Sequence, residues 1–141
     1  MKHPLATAWA LSALIFLGMD AVWLTLMAPR LYRPEIGTLL RSSFDLVPAL
    51  LFYALYVCGM VVFAVRPALD AGRPLVAGRL GALLGLLCYG TYDLTNQATL
   101  VGWTWRVTLA DLAWGSFATG TAAALASMAT LAIVRRRARR R

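Results

Sequence analysis

Three aspartates lie inside long apolar runs of this 141-residue chain: Asp20, Asp93 and Asp111. A carboxylate at membrane depth is costly unless it faces the interior of a helix bundle or a water-filled cavity, so such groups commonly mark ion paths and proton relays. A buried carboxyl can bind a cation, exchange a proton or act as a general acid or base. The sequence therefore places its candidate chemistry at these three side chains.

Aromatic and amide side chains accompany the acids. Trp23 follows Asp20 by three residues and Trp114 follows Asp111 by three, so each ring falls about one helical turn from a carboxylate. The segment Tyr89–Trp114 surrounds its two acids with polar residues and a short Trp-rich turn. The candidate ligand-binding residues are Asp20, Trp23, Tyr92, Asp93, Asn96, Arg106, Asp111 and Trp114.

The motifs that most metal centres and cofactor sites use are missing from the sequence. It has no Cys/His ligand set, no P-loop, no GxSxG and no dinucleotide fingerprint. Carboxylates alone would suit Mg, Ca or Mn rather than zinc, and the single histidine, His3, lies in the short basic start of the chain. We predict no metal centre and no cofactor. Cys58 and Cys88 lie within apolar runs, which predicts two buried small hydrophobes rather than a disulfide.

The composition indicates the elements that must position these residues. Hydrophobic residues make up 60% of the chain and charged residues 14%, with a mean hydropathy of +0.68, whereas soluble domains are about 45–50% apolar. Four apolar runs are each long enough to cross a bilayer as a helix. We predict an all-α integral membrane protein, a bundle of four transmembrane helices in one domain over residues 1–134, with spans at about 5–28, 44–65, 80–100 and 107–134.

The connections carry turn and interface signals. After Pro34 the first loop, Pro29–Ser43, allows a short interfacial helix with its apolar face toward the lipid, and an irregular loop is the alternative. Proline and glycine punctuate Arg66–Arg79, which predicts a second loop. Asp45 stands at the start of the second apolar run, where it predicts a helix N-cap.

Small residues, tryptophans and arginines predict how the helices pack and end. Gly81 and Gly85 are four apart, so two helices can approach each other closely there. Trp103 and Trp105, between the third and fourth runs, are placed like interfacial anchors. Residues 135–141 are six arginines and one alanine, which predicts a disordered, basic cytoplasmic tail attracted to anionic lipid headgroups.

The basic residues indicate the orientation. With four spans both termini share one side, and ten basic groups fall on that side against four on the other. The positive-inside rule then predicts that both termini lie in the cytoplasm. The net charge of +8 follows from this flanking pattern, so we predict membrane lipids and no nucleic acid as partners.

The three acids are predicted to converge toward the outer side. At about 1.5 Å of rise per residue, Asp20 lies about 13 Å below the outer end of its helix, Asp93 about 10 Å and Asp111 about 6 Å. This placement predicts a pocket of carboxylates and aromatic rings that is open to the outer side, with Arg106 and Arg41 as the nearest basic partners. The alternative is structural, because polar side chains also hold membrane helices together through hydrogen bonds.

Three motifs carry a resemblance to a known family: LGMDAVWL at Leu17–Leu24, YDLTNQATLVGW at Tyr92–Trp103 and TLADLAWG at Thr108–Gly115. Over most of Leu5–Leu131, and without the arginine tail, the chain resembles the bacterial inner-membrane family called domain-of-unknown-function 2177. The resemblance implies a four-helix integral protein of the bacterial inner membrane. It places emphasis on the candidate residues given above, Arg106 excepted, and it implies no established activity.

Three functions follow from these residues and stay open. The acids could bind or transport a small cationic, polar or lipid ligand, and because four helices are few for a pathway, transport would favour a homodimer. A desolvated aspartate could instead serve a lipid-modifying membrane enzyme as its general acid or base. In the third interpretation the protein is structural or accessory. The inner halves of the spans carry no acid, which weighs against a simple alternating-access carrier.

Overall fold

The computed structural model describes residues 4–140, in which every regular element is a helix. Counted through their π-helical and 3-10 turns, the four helices are α1 Pro4–Leu39, α2 Leu46–Ala71, α3 Pro74–Thr99 and α4 Trp105–Arg139. Each is apolar and long enough to cross a membrane by length and composition. No strand occurs between residues 4 and 140, and the predicted all-α membrane bundle is confirmed. The predictions that involve Lys2, His3 and Arg141 fall outside the described residues.

Prolines shape the ends of α1 and α2. A proline has no N–H for the carbonyl four residues earlier and its ring crowds that carbonyl, which favours a locally widened turn. Such π-helical turns cover Ala28–Tyr32, which contains Pro29, and Val61–Val65, two residues before Pro67. As a result α1 continues to Leu39, and the irregular-loop alternative for the first connection is wrong for these residues.

A glycine in the left-handed conformation and a capping aspartate define the two ends of α2. Gly72 has a φ of 64° after α2, and the Gly72 and Arg73 amides donate to carbonyls of its last turn at 3.1 and 3.0 Å, as in a Schellman motif. The predicted second loop is therefore helical except at residues 72 and 73. Asp45 caps α2 as predicted, since its side chain accepts from the Val47 N–H at 3.2 Å.

The pair α3 and α4 packs most extensively, along a row of glycines that we call the glycine seam: Gly78, Gly81 and Gly85 on α3, Gly115 and Gly120 on α4. A Cβ on Gly81 would lie 2.8 Å from the Thr119 carbonyl oxygen, and one on Gly85 would lie 2.0 Å from the Gly115 carbonyl oxygen. Only glycine permits such an approach of two backbones. The predicted close packing at Gly81 and Gly85 is confirmed.

The buried face of α1 leads to the first aspartate. Every fourth residue from Ala8 to Asp20 is buried, which is the packed face of a helix with an acid at its end. Phe16 on this face stacks on Tyr56 of α2, with ring centroids 4.9 Å apart. The Tyr56 hydroxyl in turn pairs with Thr119 Oγ1 of α4 at 2.7 Å. These contacts fix the position of Asp20 relative to α2 and α4.

Three predictions about individual positions are wrong. Cys58 and Cys88 are exposed, because they fall on the outward faces of their helices. Trp103 is 8% exposed and donates to Thr108 Oγ1 at 3.0 Å, so it packs inside the α3–α4 turn and does not act as an interfacial anchor. The helix α4 continues to Arg139 where the composition predicts a disordered tail, since arginine is a good helix former and is favoured at a helix C-terminus.

Candidate functional site

Three helices bring the predicted acids together near the end of the bundle that carries the α3–α4 turn. Asp20 of α1, Asp93 of α3 and Asp111 of α4 are 6%, 0% and 7% exposed. Asp93 and Asp111 adjoin each other, and Asp20 is near enough to Asp111 to act on it electrostatically. We call these three residues the acid cluster.

Asp20 has a donor for each of its oxygens. Its Oδ2 accepts a hydrogen bond from the Tyr53 hydroxyl of α2, and its Oδ1 accepts from Trp114 Nε1 of α4 at 3.1 Å. Hydrogen bonds to an ionised acceptor are stronger than those between neutral groups. Asp20 therefore joins α1 to both α2 and α4.

Asp111 is reached by a tyrosine from the extension of α1. Tyr32 lies in the π-helical turn Ala28–Tyr32, and its hydroxyl donates a hydrogen bond to Asp111 Oδ1. The same hydroxyl accepts from Trp23 Nε1 at 2.8 Å. The extension of α1 beyond residue 28, its predicted end, thus supplies the hydroxyl that donates to Asp111 on α4.

Trp23 and Trp114 stack on each other, with centroids 4.5 Å apart and planes 7° apart. Each follows an aspartate by three residues, and each is hydrogen-bonded, directly or through one hydroxyl, to the aspartate of the other motif. Trp114 donates to Asp20 directly, and Trp23 reaches Asp111 through the Tyr32 hydroxyl. The two D-x-x-W motifs therefore form one reciprocal unit between α1 and α4.

Asp93 differs from its two neighbours. It is 0% exposed, and neither of its carboxylate oxygens has a hydrogen-bond partner among residues 4–140. Asp111 lies alongside, but two ionised carboxylates can only accept hydrogen bonds, so neither satisfies the other. Burying a polar group without a partner is costly, and burying a charge without one is more so. Asp93 is therefore the point at which the hydrogen bonding of the acid cluster is incomplete.

The basic side chains of the described residues do not neutralise the acid cluster. Arg106 pairs with Glu35 at 2.5 Å, and Arg41 with Asp45 at 3.8 Å. The Arg106 side chain is 76% exposed, because the five residues that separate it from Asp111 turn it about 140° away around α4. The structure does not bring Arg106 or Arg41, the predicted nearest basic partners, to the acids.

Tyr92 and Asn96 lie at the edge of the acid cluster. Tyr92 is 58% exposed, and its ring packs edge-on against Trp103 with centroids 5.6 Å apart. Asn96 is half-buried and lies within hydrogen-bonding reach of the Tyr92 hydroxyl. Of the predicted candidates, the structure brings together Asp20, Trp23, Asp93, Asp111 and Trp114.

Two residues of the site, Tyr32 and Tyr53, are absent from the predicted candidates. Tyr53 stands three residues before Tyr56 on α2, and two phenol hydroxyls on one face of an otherwise apolar helix are a signal that could have found it. Tyr32 has no such signal, because it lies in a segment whose prolines and arginines are typical of a loop. Its role depends on the π-helical turn that extends α1.

Two cavities lie away from the acid cluster. One of about 630 Å³ is lined by small and apolar residues of α3 and α4, and one of about 250 Å³ lies on α1 around Ala21 and Thr25. Hydroxyls and an indole contact Asp20 and Asp111, and neither of these two cavities is lined by an acid, so a pocket open to one side stays a prediction. Within residues 4–140, no three His, Cys, Asp or Glu side chains are placed to hold one metal ion.

Comparison with known proteins identifies a family but no activity, ligand or partner. No curated protein and no solved structure matches the sequence. A family model described as "Predicted membrane protein (DUF2177)" matches residues 5–128, a range that contains the acid cluster, both D-x-x-W motifs and the glycine seam. Because this match covers most of the chain, the protein belongs to the DUF2177 family of predicted membrane proteins.

Proposed function

We propose that this protein binds a small cation at the acid cluster, within the membrane and toward its outer side. The observation that carries the proposal is Asp93, a buried carboxyl whose two oxygens have no partner among residues 4–140. In a purely structural cluster we expect every acid to be hydrogen-bonded, as Asp20 and Asp111 are. Asp93 instead presents acceptors that a cation would satisfy.

The charge of the acid cluster supports the same proposal. Taking one ion out of water costs several kcal/mol even after the protein relaxes, and neighbouring like charges repel each other. Across residues 4–140 no arginine or lysine forms an ion pair with any of the three acids. Tyr32, Tyr53 and Trp114 supply hydrogen-bonding dipoles but no positive charge. A bound cation would supply it.

The proposed location rests on the basic residues. In the sequence one basic residue precedes α1, three lie around the α2–α3 connection and six at the end of α4, against four around the other two connections, and cytoplasmic loops are rich in such residues. We therefore propose the bacterial inner membrane with both termini in the cytoplasm, which puts the acid cluster toward the outer side. Membrane lipids would then contact the large apolar side chains that α2 exposes. If the cation also crosses the membrane, we expect a homodimer, because four helices are few for a pathway.

A titration of the purified protein in lipid nanodiscs tests cation binding. The Trp23–Trp114 stack contacts Asp20, so tryptophan fluorescence and the thermal unfolding temperature should both respond to occupancy. H⁺, Na⁺, K⁺, Mg²⁺, Ca²⁺ and tetramethylammonium would be varied one at a time at constant ionic strength. At least one should raise the unfolding temperature in a saturable manner, because a ligand of the folded state stabilises it by mass action.

Two variants test whether the response in this titration comes from the acid cluster. Asp93→Asn should abolish the response, whereas Asp70→Asn, which changes an exposed acid of α2, should keep it. The proposal fails if no cation changes either signal of the wild type. It also fails if Asp93→Asn responds as the wild type does.

A further inference from the structure

We propose that the bound cation is a single proton, held between Asp93 and Asp111. This inference rests on the proposed function and names its ligand. Asp93 is the protonated member and Asp111 the accepting carboxylate. The step is a proton uptake alone: the Asp93 carboxylate gains H⁺ and becomes a carboxylic acid, whose O–H donates a hydrogen bond to Asp111.

The hydrogen bonding around the pair lacks one donor. Ionised aspartates offer only acceptors. Asp111 has the Tyr32 hydroxyl as a donor, whereas Asp93 has no donor among the described residues. A proton on Asp93 provides a donor for the adjacent Asp111 and removes one of the buried negative charges. Two carboxyls this close also tend to share a proton, because both cannot easily be ionised.

The surroundings assign the charge to Asp111 and the proton to Asp93. The Tyr32 hydroxyl donates to Asp111, and this hydroxyl itself accepts from Trp23 Nε1, so a chain of donors points at Asp111. No such chain reaches Asp93. The other titratable groups that face the pair are Asp20 and Tyr32 of α1 and Tyr89 and Tyr92 of α3, while Tyr53 and Tyr56 of α2 face Asp20. All of these are acids or phenols, so none of them brings a positive charge.

The donor set disfavours a metal ion. Ca²⁺ takes about six to eight oxygen ligands, and Mg²⁺ demands near-octahedral geometry and keeps several waters. The hydroxyl next to Asp111 directs its hydrogen at the carboxylate, and the stacked rings of Trp23 and Trp114 occupy adjoining space. In the part of the chain that the structure describes, no third acid, histidine or cysteine joins the pair as a metal ligand. A proton needs only the two oxygens that it joins.

Infrared spectroscopy of the protein in an ester-free detergent tests the shared proton, because the carbonyl band of a protonated carboxyl lies apart from those of carboxylates and amides. We expect this band in the wild type at neutral pH. It should be lost in Asp93→Asn and also in Asp111→Asn, since either side-chain amide can donate the hydrogen bond in place of the proton. Asp70→Asn should keep it. If one of the two pair variants fails to fold, the other still gives the answer.

The outcomes separate the two proposals. A band that both pair variants lose and that Na⁺, K⁺, Mg²⁺ and Ca²⁺ leave unchanged supports the shared proton. A wild type without the band overturns the shared proton, and so does a band that persists in both pair variants. If a metal ion stabilises the wild type but not Asp93→Asn, cation binding stands and only the assignment of the proton fails.

Discussion

The glycine seam and the acid cluster join α3 to α4 in different ways. In the seam, Gly81 and Gly85 bring the backbones together without any charged side chain. In the cluster, Asp93 of α3 meets Asp111 of α4 with a buried carboxyl that has no hydrogen-bond partner among residues 4–140. Because packing in the seam already holds the two helices together, Asp93 is not needed for that purpose. We propose that the cost of burying it serves binding rather than stability.

The largest effect on stability should come from the glycine seam. Gly85→Val would place its first side-chain carbon 2.0 Å from the Gly115 carbonyl oxygen, a backbone atom that cannot move without displacing α4. Overpacking a core costs about 1–3 kcal/mol, and occasionally more, so we expect a loss of at least about 3 kcal/mol and little folded protein. The yield of monodisperse protein and its unfolding temperature measure this.

Gly18→Ala is the matched control for the glycine seam. A Cβ on Gly18 of α1 meets nothing within 4 Å, and alanine in a helix interior is favoured over glycine by about 1 kcal/mol. This variant should fold at least as well as the wild type. A Gly85→Val protein as stable as Gly18→Ala would mean that the seam does not hold α3 to α4. The contrast between a structural glycine seam and a binding acid cluster would then fail.

Tyr53→Phe tests how much the hydrogen bonds of the acid cluster contribute to stability. It removes one of the two donors to Asp20 and leaves a buried carboxylate oxygen unpaired. A hydrogen bond to a charged group contributes about 1.5–3 kcal/mol, and we expect a destabilisation of about that size. The exposed Tyr92 supplies the control, since Tyr92→Phe should cost much less. Unfolding free energies of the two variants in the same detergent give the difference, and equal losses would contradict the assigned role of Tyr53.

A double-mutant cycle on Trp23→Leu and Trp114→Leu measures the reciprocal unit. Aromatic pairs contribute about 0.5–1.5 kcal/mol beyond their buried area, and each indole also donates a hydrogen bond, Trp23 to Tyr32 and Trp114 to Asp20. We expect a coupling energy of at least about 1 kcal/mol. Additive losses from the two single variants would mean that the two D-x-x-W motifs act independently.

The smallest effect should come from Arg106. Its ion pair with Glu35 is largely exposed on the arginine side, and such pairs contribute about 0.2–1 kcal/mol, less at high salt. Arg106→Ala should therefore leave both stability and cation binding nearly unchanged, with Glu35→Gln as its partner in a cycle. Loss of cation binding in Arg106→Ala would place this arginine in the site after all.

The sequence predicts the helices well because their signal is local. An apolar run long enough to cross a bilayer can be recognised as a helix without knowing which other helices it contacts. The four-residue spacing of Gly81 and Gly85 likewise indicates that a second helix can approach closely. The buried stripe of α1 that ends at Asp20 follows from helical periodicity in the same way. These features are properties of one segment at a time.

The remaining features depend on contacts between segments. Tyr32 becomes a partner of Asp111 only because a π-helical turn extends α1 over α4, and nothing near Tyr32 in the sequence indicates that partner. Trp103 turns inward because it can donate to Thr108. The outward positions of Cys58 and Cys88 likewise depend on which helix faces are covered. Apolar residues in a membrane helix suit lipid and protein equally, so hydropathy alone cannot distinguish these faces.

The most direct measurement compares the stability of Asp93→Asn with its binding. The amide keeps nearly the shape of the carboxyl and can donate to Asp111, but it cannot carry a negative charge or exchange a proton. We therefore expect an unfolding free energy within about 1 kcal/mol of the wild type, the net contribution of a typical hydrogen bond, together with complete loss of the saturable cation response in nanodiscs. A severely destabilised Asp93→Asn protein whose folded fraction binds cations normally would contradict the account, because Asp93 would then be structural.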